Sequence, residues 1–245
     1  MKKYFEYELN SNTRDKLVNY YEDINLAQHN HDQSLKSNLK LKRIRKLMSF
    51  SKKDKVLDVG CSYGYLIKSL SREIDEGKGI DISNKIIDKA IRDNIQKNIS
   101  FETFDGNMIV FNNKFSKVLL VDVLEHAIYP DILIRIVKEN LLPNGLLLIE
   151  VPFTGFISEF VAGEYHQGHM RYYDPEYLSN YIKKFGFDLL ETNVYNSVPF
   201  AAFFLKYPSL FFFLDNLINF FPPKIYPYFG EILILTKKRS NDLKD

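Results

Sequence analysis

The stretch KVLDVGCSYGYLIKSL, Lys55 to Leu70, decides the fold. A short run of strand character, Lys55 to Val59, meets a turn bounded by Gly60 and Gly64, and from Tyr63 to Glu73 the apolar spacing is that of a helix. Small residues in such a turn let backbone N–H groups and the helix N-terminus behind them approach a ligand closely. A dinucleotide fingerprint wants glycines in the pattern G-x-G-x-x-G, and here Ser62 and Tyr65 stand at the second and third of them. An NAD-dependent oxidoreductase is therefore the weaker reading of the turn.

Outward from it, strand signals at Gly77–Asp81, Ile99–Phe104, Lys117–Val121 and Gly145–Val151 alternate with helix signals at Asn84–Asn94 and Pro130–Asn140. Short strands separated by helices predict a parallel sheet with right-handed crossovers, whose ligands gather at the carboxyl ends of the strands. Acidic residues stand at those ends. Asp81 closes the second strand, where a carboxylate reaches both hydroxyls of a ribose, and Asp105 follows the third. The fourth ends in VDVLEH, Val121 to His126. Beyond Pro152 the chain turns glycine-, aromatic- and histidine-rich, until Asp174 as N-cap and Pro175 in the first turn predict another helix. The strand-like runs FDLLETNVY and EILILTKK then bracket an aromatic segment, 196–230.

Composition narrows the function. With 245 residues, 45% hydrophobic and 26% charged, the chain suits one α/β domain with a full core and is not a disordered one. A net charge of +2 supplies no global field for nucleic acid. The single cysteine, Cys61, forms no internal disulfide, and no Cys/His spacing resembles a zinc site, which fits a reducing compartment. The N-terminus lacks the apolar core of a signal peptide, so a cytoplasmic location is expected. Lys206, Pro208 and Asp215 interrupt the apolar run from Val198 to Phe221, which predicts no transmembrane span. A buried helical insertion, a homodimer surface and a peripheral membrane contact are the readings left for it, in that order. Between Leu35 and Phe50 the apolar residues fall on one helical face, interleaved with Lys36, Lys40, Lys42, Arg43, Arg45 and Lys46. These cations read as a solvated face, and docking on a phosphate-bearing substrate or an anionic surface is the alternative.

With VLDVGCSYGYL, GIDIS, FDGN, VDVLEH, LLPNGLLLIEVP and GHMRYYDPEYL on the page, the chain resembles the class I S-adenosylmethionine-dependent methyltransferases. The likeness runs from about Lys55 to Leu190 and is to their small-molecule branch, which includes ubiquinone-pathway and sugar or natural-product enzymes. It implies a Rossmann-like α/β fold: a doubly wound, seven-stranded, mostly parallel sheet with helices on both faces and an antiparallel last strand. It implies S-adenosylmethionine as cofactor, leaving as S-adenosylhomocysteine. Asp58, Gly60, Cys61, Ser62 and Gly64 would shape the loop beside its methionine part, Asp81 and Ile82 would hold the ribose, and Asp105, Gly106 and Asn107 would lie at the adenine. Asp122 and Val123 would begin the floor. Where Ser62 stands the family often has glycine.

Methyl transfer to a hydroxyl gains from a general base, and an imidazole titrates in the right range. His126, His166 and His169 are the candidates. Glu125, Arg171 and Tyr172 are the candidate substrate contacts, a pocket-facing Arg171 implying a carboxylate or phosphate on the acceptor. The pair Glu125–His126 does not by itself define a metal site, and no metal is expected. The family's DNA amino-methylating enzymes carry a D/N/S-P-P-Y/F motif where VDVLEH stands, so nucleic acid is disfavoured and a small molecule is the expected acceptor. An oxygen is favoured over a nitrogen, and a surface-polysaccharide sugar or its nucleotide-linked precursor is the family's suggestion. A non-catalytic module that only binds the cofactor is the other alternative. The expected organisation is an N-terminal helical cap, 1–54, a methyltransferase domain, 55–238, with the aromatic insertion 196–230, and a tail, 239–245.

Overall fold

The computed structural model describes residues 32–104, 111, 114–153, 170–196, 208–220 and 230–240. Seven strands form one sheet: β1 Lys55–Val59, β2 Glu76–Asp81, β3 Ile99–Thr103, β4 Phe115–Val121, β5 Leu141–Phe153, β6 Phe187–Asn196 and β7 Gly230–Lys238. Their order is β3-β2-β1-β4-β5-β7-β6. Strands β1 to β5 are parallel, and β7 runs antiparallel between β5 and β6. The chain winds outward from β1 to β3 and then crosses back to β4, so the direction reverses between β1 and β4. That is where such sheets open a crevice at the strands' carboxyl ends.

Among the described residues six helices accompany the sheet: α1 Asp32–Leu47, α2 Tyr65–Leu70, α3 Asn84–Arg92, α4 Pro130–Asn140, α5 Pro175–Lys183 and α6 Pro208–Phe220. Alternation along each strand divides the core into two layers. Leu57, Val59, Val118, Leu120, Leu147 and Ile149 pack with Ile134 and Val137 of α4 and Leu178 and Ile182 of α5. Val56, Leu119, Val121 and Leu148 pack on the other face with Leu41 and Ile44 of α1, Met48 just after it, and Ile67 and Leu70 of α2. Asp58 and Glu150, two positions on from Val56 and Leu148, therefore belong to the α1/α2 side.

The doubly wound sheet with its antiparallel strand is as expected from the sequence. The boundaries of β1 and α4 coincide with the sequence reading, and Asp174 caps α5 by accepting from the Tyr177 N–H at 2.8 Å. The α3 helix stops at Arg92, short of the expected Asn94, because the Asn94 side-chain amide turns to the Ile99 and Gln96 carbonyls instead. Strand β5 starts at Leu141 rather than Gly145, pairing with Phe115 ahead of a register shift. The solvated reading of the α1 cations needs correcting. Lys42, Arg45 and Lys46 are exposed, but Arg43 is 4% exposed and Lys40 is only partly accessible, because carboxylates from the sheet and from α6 receive them.

Candidate active site

The turn after β1 is built on left-handed backbone. Gly60 and Gly64 have φ of 72° and 76°, and Ser62 has φ 49°. A Cβ on Gly60 would lie 2.3 Å from Val123 Cγ2, and one on Gly64 would lie 2.3 Å from the Phe101 ring. The loop is thus pressed against both β3 and Val123, two residues after β4. Ser62 takes a glycine conformation without being glycine, a cost of order 1 kcal/mol. Asp122, at φ 52°, does the same where β4 ends. Strain of this kind persists where surrounding contacts over-determine it, and it clusters at functional sites.

Asp81 holds this loop. Its Oδ2 accepts the Ser62 N–H at 2.9 Å and its Oδ1 the Ser83 N–H at 3.1 Å. The cap of α3 is Ser83, whose hydroxyl accepts from the Ile86 N–H, so Asp81 is not spent as a helix cap. Ile82 beside it is half-buried. Asp58 is 2% exposed, and its Oδ2 is buried without a partner. Burial, then the charge of Asp81, push its carboxyl up to about 7, against a hydrogen bond from the Ile67 N–H. Burial also raises Asp81. Buried Asp58 and half-buried Asp81 thus put two carboxyls behind the loop, an arrangement that suits a cationic group with hydroxyls. Cys61 is buried, with its sulfur where a Cβ on Gly79 would reach within 2.7 Å, and burial pushes its thiol well up. It packs the loop and is no nucleophile.

At the ends of β4 and β5 the arrangement was not foreseen. Lys40 Nζ lies 2.9 Å from Asp122 Oδ2 and 3.4 Å from Glu231 Oε1, and it also donates to the Glu150 carboxyl. Burial pulls the Lys40 ammonium down, but Asp122, Glu150 and Glu231 more than reverse this and hold it well above the usual lysine range. Glu150 is fully buried with Oε2 unpartnered, and burial raises it to about 8 against the opposing pull of Lys40. Next to it, Arg43 donates to Glu231, pairs with Asp215 at 2.9 Å and lies 4.5 Å above the Tyr195 ring. Carboxyls outnumber cations here, so Glu150 keeps a proton while Lys40 keeps its charge. The missed signal was Glu150 itself: a carboxylate inside the run LLLIEVP, in a central strand, demands a buried partner.

Glu125 and His126 form a 3₁₀ turn, Leu124–His126, directly after β4. Glu125 is 1% exposed with Oε2 unpartnered, and burial followed by Asp122 raises it well above the carboxylate range. His126 Nε2 is 3.6 Å from Glu125 Oε1. The segment entering α5 docks on this turn. Met170 and Arg171 donate their N–H groups to the Glu125 carbonyl, and the Arg171 guanidinium donates to the Ala127 and Ile128 carbonyls. Arg171 therefore braces the turn, and a role for it in binding an anionic acceptor is not what its contacts serve. Tyr172 is half-buried beside it. Asp105, Gly106, Asn107, His166 and His169 lie outside the described residues. Among the described residues, no group of three His, Cys, Asp or Glu is placed to hold a metal ion.

Comparison with known proteins agrees with this geometry. A family model described as "Methyltransferase domain" matches residues 28–192. The ubiquinone biosynthesis O-methyltransferase of Azoarcus sp. (strain BH72) is 23% identical over 161 residues, covering 59% of this chain and 69% of that one. The mitochondrial enzyme of the same name from Dictyostelium discoideum is 30% identical over 128 residues, 45% of this chain and 40% of that protein. A crystal structure of an S-adenosylmethionine-dependent methyltransferase from Thiobacillus denitrificans, in complex with S-adenosylhomocysteine, superposes with a TM-score of 0.56 at 19% identity, over 82% of this chain and 91% of that one. The loop between β1 and α2, the carboxyls behind it and a family match over more than half the chain lead to one conclusion: the chain belongs to the methyltransferase domain family and is a class I S-adenosylmethionine-dependent methyltransferase.

Proposed function

We propose that the protein methylates an oxygen of a small molecule. The observation that carries this reading is the carboxyl cluster Asp122, Glu125 and Glu150 around Lys40, at the strand ends beside the glycine turn. A hydroxyl acceptor must lose a proton as its oxygen gains a methyl group, and the His126 imidazole beside this cluster, 3.6 Å from the Glu125 carboxyl, serves that step in this reading. The names of the two curated relatives, both O-methyltransferases, favour the same atom. A sugar or nucleotide-linked sugar is the finer suggestion, of which the neutral sugar better suits a site rich in carboxyls.

Bound S-adenosylmethionine supplies a methyl group on a sulfonium, open to in-line displacement. Gly60, Cys61, Ser62 and Gly64 form its loop in this reading, Asp58 faces its positive charge, and Asp81 with Ile82 takes the ribose. Asp105, Gly106 and Asn107 serve the adenine. Asp122 and Val123 form the floor. His126, with Glu125 behind it, takes the acceptor's proton in this reading, supported by the carboxyl 3.6 Å from its Nε2. His166 and His169 are the other candidate bases, and Tyr172 a candidate acceptor contact. Helix α1, the described part of the expected cap 1–54, serves as a cap in this reading, because Lys40 and Arg43 tie it to strand ends and to α6 of the aromatic insertion 196–230.

The test has two stages. Equilibrium titration should give binding of S-adenosylhomocysteine and none of NADH; the reverse pattern overturns the cofactor assignment. Incubation of the protein with labelled cofactor and extract of the source cell should then give a methoxy product by mass detection. Cofactor binding with no labelled product would make the chain a binding module, and label on nitrogen would move the acceptor atom.

A further inference from the structure

Among the described residues, helix α6 packs its core contacts on one side. Phe212, Leu214 and Ile218 gather around Leu39 of α1, and Asp215, the one charged residue of the helix, turns inward to Arg43 at 2.9 Å. On the other side Leu210, Phe213, Leu217 and Phe220 are 45%, 61%, 45% and 83% exposed. Their spacing of three, four and three residues aligns them in one stripe about 15 Å long. Scattered exposed apolar residues are ordinary, but an uninterrupted stripe of large ones marks an interaction surface. The helix differs here from the buried insertion favoured on sequence.

Two features say what covers the stripe. Lys42 of α1 is exposed at its border, donating to Asn216 at 3.4 Å, and Lys46 follows one turn further along α1, also exposed, with Arg45 beside it in an ion pair with Glu73. An apolar helix face bordered by cations matches the interface of an anionic bilayer, where apolar side chains enter the acyl boundary and ammonium groups meet the head groups. The second feature is area. Four such side chains present on the order of 500 Å², at about 200 Å² for each large side chain fully exposed, below the roughly 800 Å² per partner of a standard protein interface. Among the described residues no helix is long and apolar enough to cross a membrane, so the fit is to the surface of the bilayer.

We propose that α6 and the adjoining cations of α1 form a docking surface for an anionic lipid bilayer. Because α1 also carries Lys40 to Asp122 and Glu150, docking sets the helix that caps the acceptor end of the sheet against the lipid. The surface does not depend on the acceptor proposed above.

The test is co-sedimentation of the full chain with two kinds of vesicle, phosphatidylcholine alone and phosphatidylcholine mixed with phosphatidylglycerol. Binding should be at least tenfold tighter to the mixed vesicles and should weaken as salt is raised. The double variant Phe213→Asp with Leu217→Asp should lose at least tenfold in that binding while keeping its affinity for S-adenosylhomocysteine, since neither residue is in the core. Lys42→Glu with Lys46→Glu should lose the preference for phosphatidylglycerol. Three results would each overturn the proposal: binding to neither vesicle, equal binding by wild type and both variants, or a wild-type dimer in sedimentation equilibrium that Phe213→Asp dissociates without any lipid binding. Vesicle binding without S-adenosylhomocysteine binding would leave the docking surface standing and remove the cofactor reading.

Discussion

Lys40 of α1 donates to the carboxyl of Glu150 in the buried strand β5, joining positions 110 residues apart. Each needs the other. Lys40 is the cation that Asp122, Glu150 and Glu231 share, and the Glu150 side chain is fully buried.

Lys40→Met should therefore be costly. Removing Lys40 leaves buried oxygens of Glu150 without their donor and takes the cation from Asp122 and Glu231, a loss of about 1–3 kcal/mol, whereas removing both Lys40 and Glu150 is milder. Chemical denaturation should show Lys40→Met much less stable than wild type, and the double variant with Glu150→Gln should recover most of the loss. Additive losses in the double variant would mean that the two side chains do not interact.

Glu150 also predicts a pH dependence. Its folded-state carboxyl is raised to about 8 from an ordinary 4.5, so the folded protein binds the proton more tightly than the unfolded chain does. Its contribution to stability is then greatest below about 4.5 and declines as the pH rises to about 8, where the full cost of ionising it is felt. Glu150→Gln should flatten the fall of unfolding free energy across that window. Asp58, raised to about 7, adds to the same decline, so the slope should diminish without vanishing. An unchanged slope would mean that Glu150 ionises normally.

Ser62 and Gly64 should respond in opposite directions. Ser62→Gly relieves a left-handed conformation but loosens the unfolded chain, for a net gain of about 0–1 kcal/mol. Affinity for S-adenosylhomocysteine should be undiminished. Gly64→Ala keeps φ at 76° and drives a methyl group into the Phe101 ring, which should cost about 2–4 kcal/mol. Thermal unfolding distinguishes the two.

Asp81→Ala should weaken S-adenosylhomocysteine at least tenfold, the worth of a charge-assisted hydrogen-bond pair at about 1.5–3 kcal/mol. The variant should also lose stability, because Asp81 ties the Ser62 and Ser83 N–H groups. Asp81→Asn keeps one acceptor oxygen and should lose less of both. Titration calorimetry and thermal unfolding on the same samples separate these effects, and an unchanged dissociation constant in a folded Asp81→Ala protein would place the residue outside the site.

What the sequence by itself determined is local. The switch from strand to helix around Gly60 and Gly64 and the strand-helix alternation that follows are written in periods of a few residues and in turn chemistry, and they sufficed for the sheet and for the turn between β1 and α2. Arg171 and the α1 cations show the limit. Composition showed that they were charged, but whether a guanidinium faces a ligand or the Ala127 and Ile128 carbonyls depends on how the segment before α5 lies on the turn after β4. Lys40 meets Glu150 and Glu231 because the sheet order sets β5 and β7 side by side and α1 covers their ends, and Arg43 meets Asp215 because α6 packs against α1. A helical period tells which side chains share a face, and a buried carboxylate tells that a cation must come. Which cation comes, across 110 or 172 positions of chain, only the tertiary structure decides.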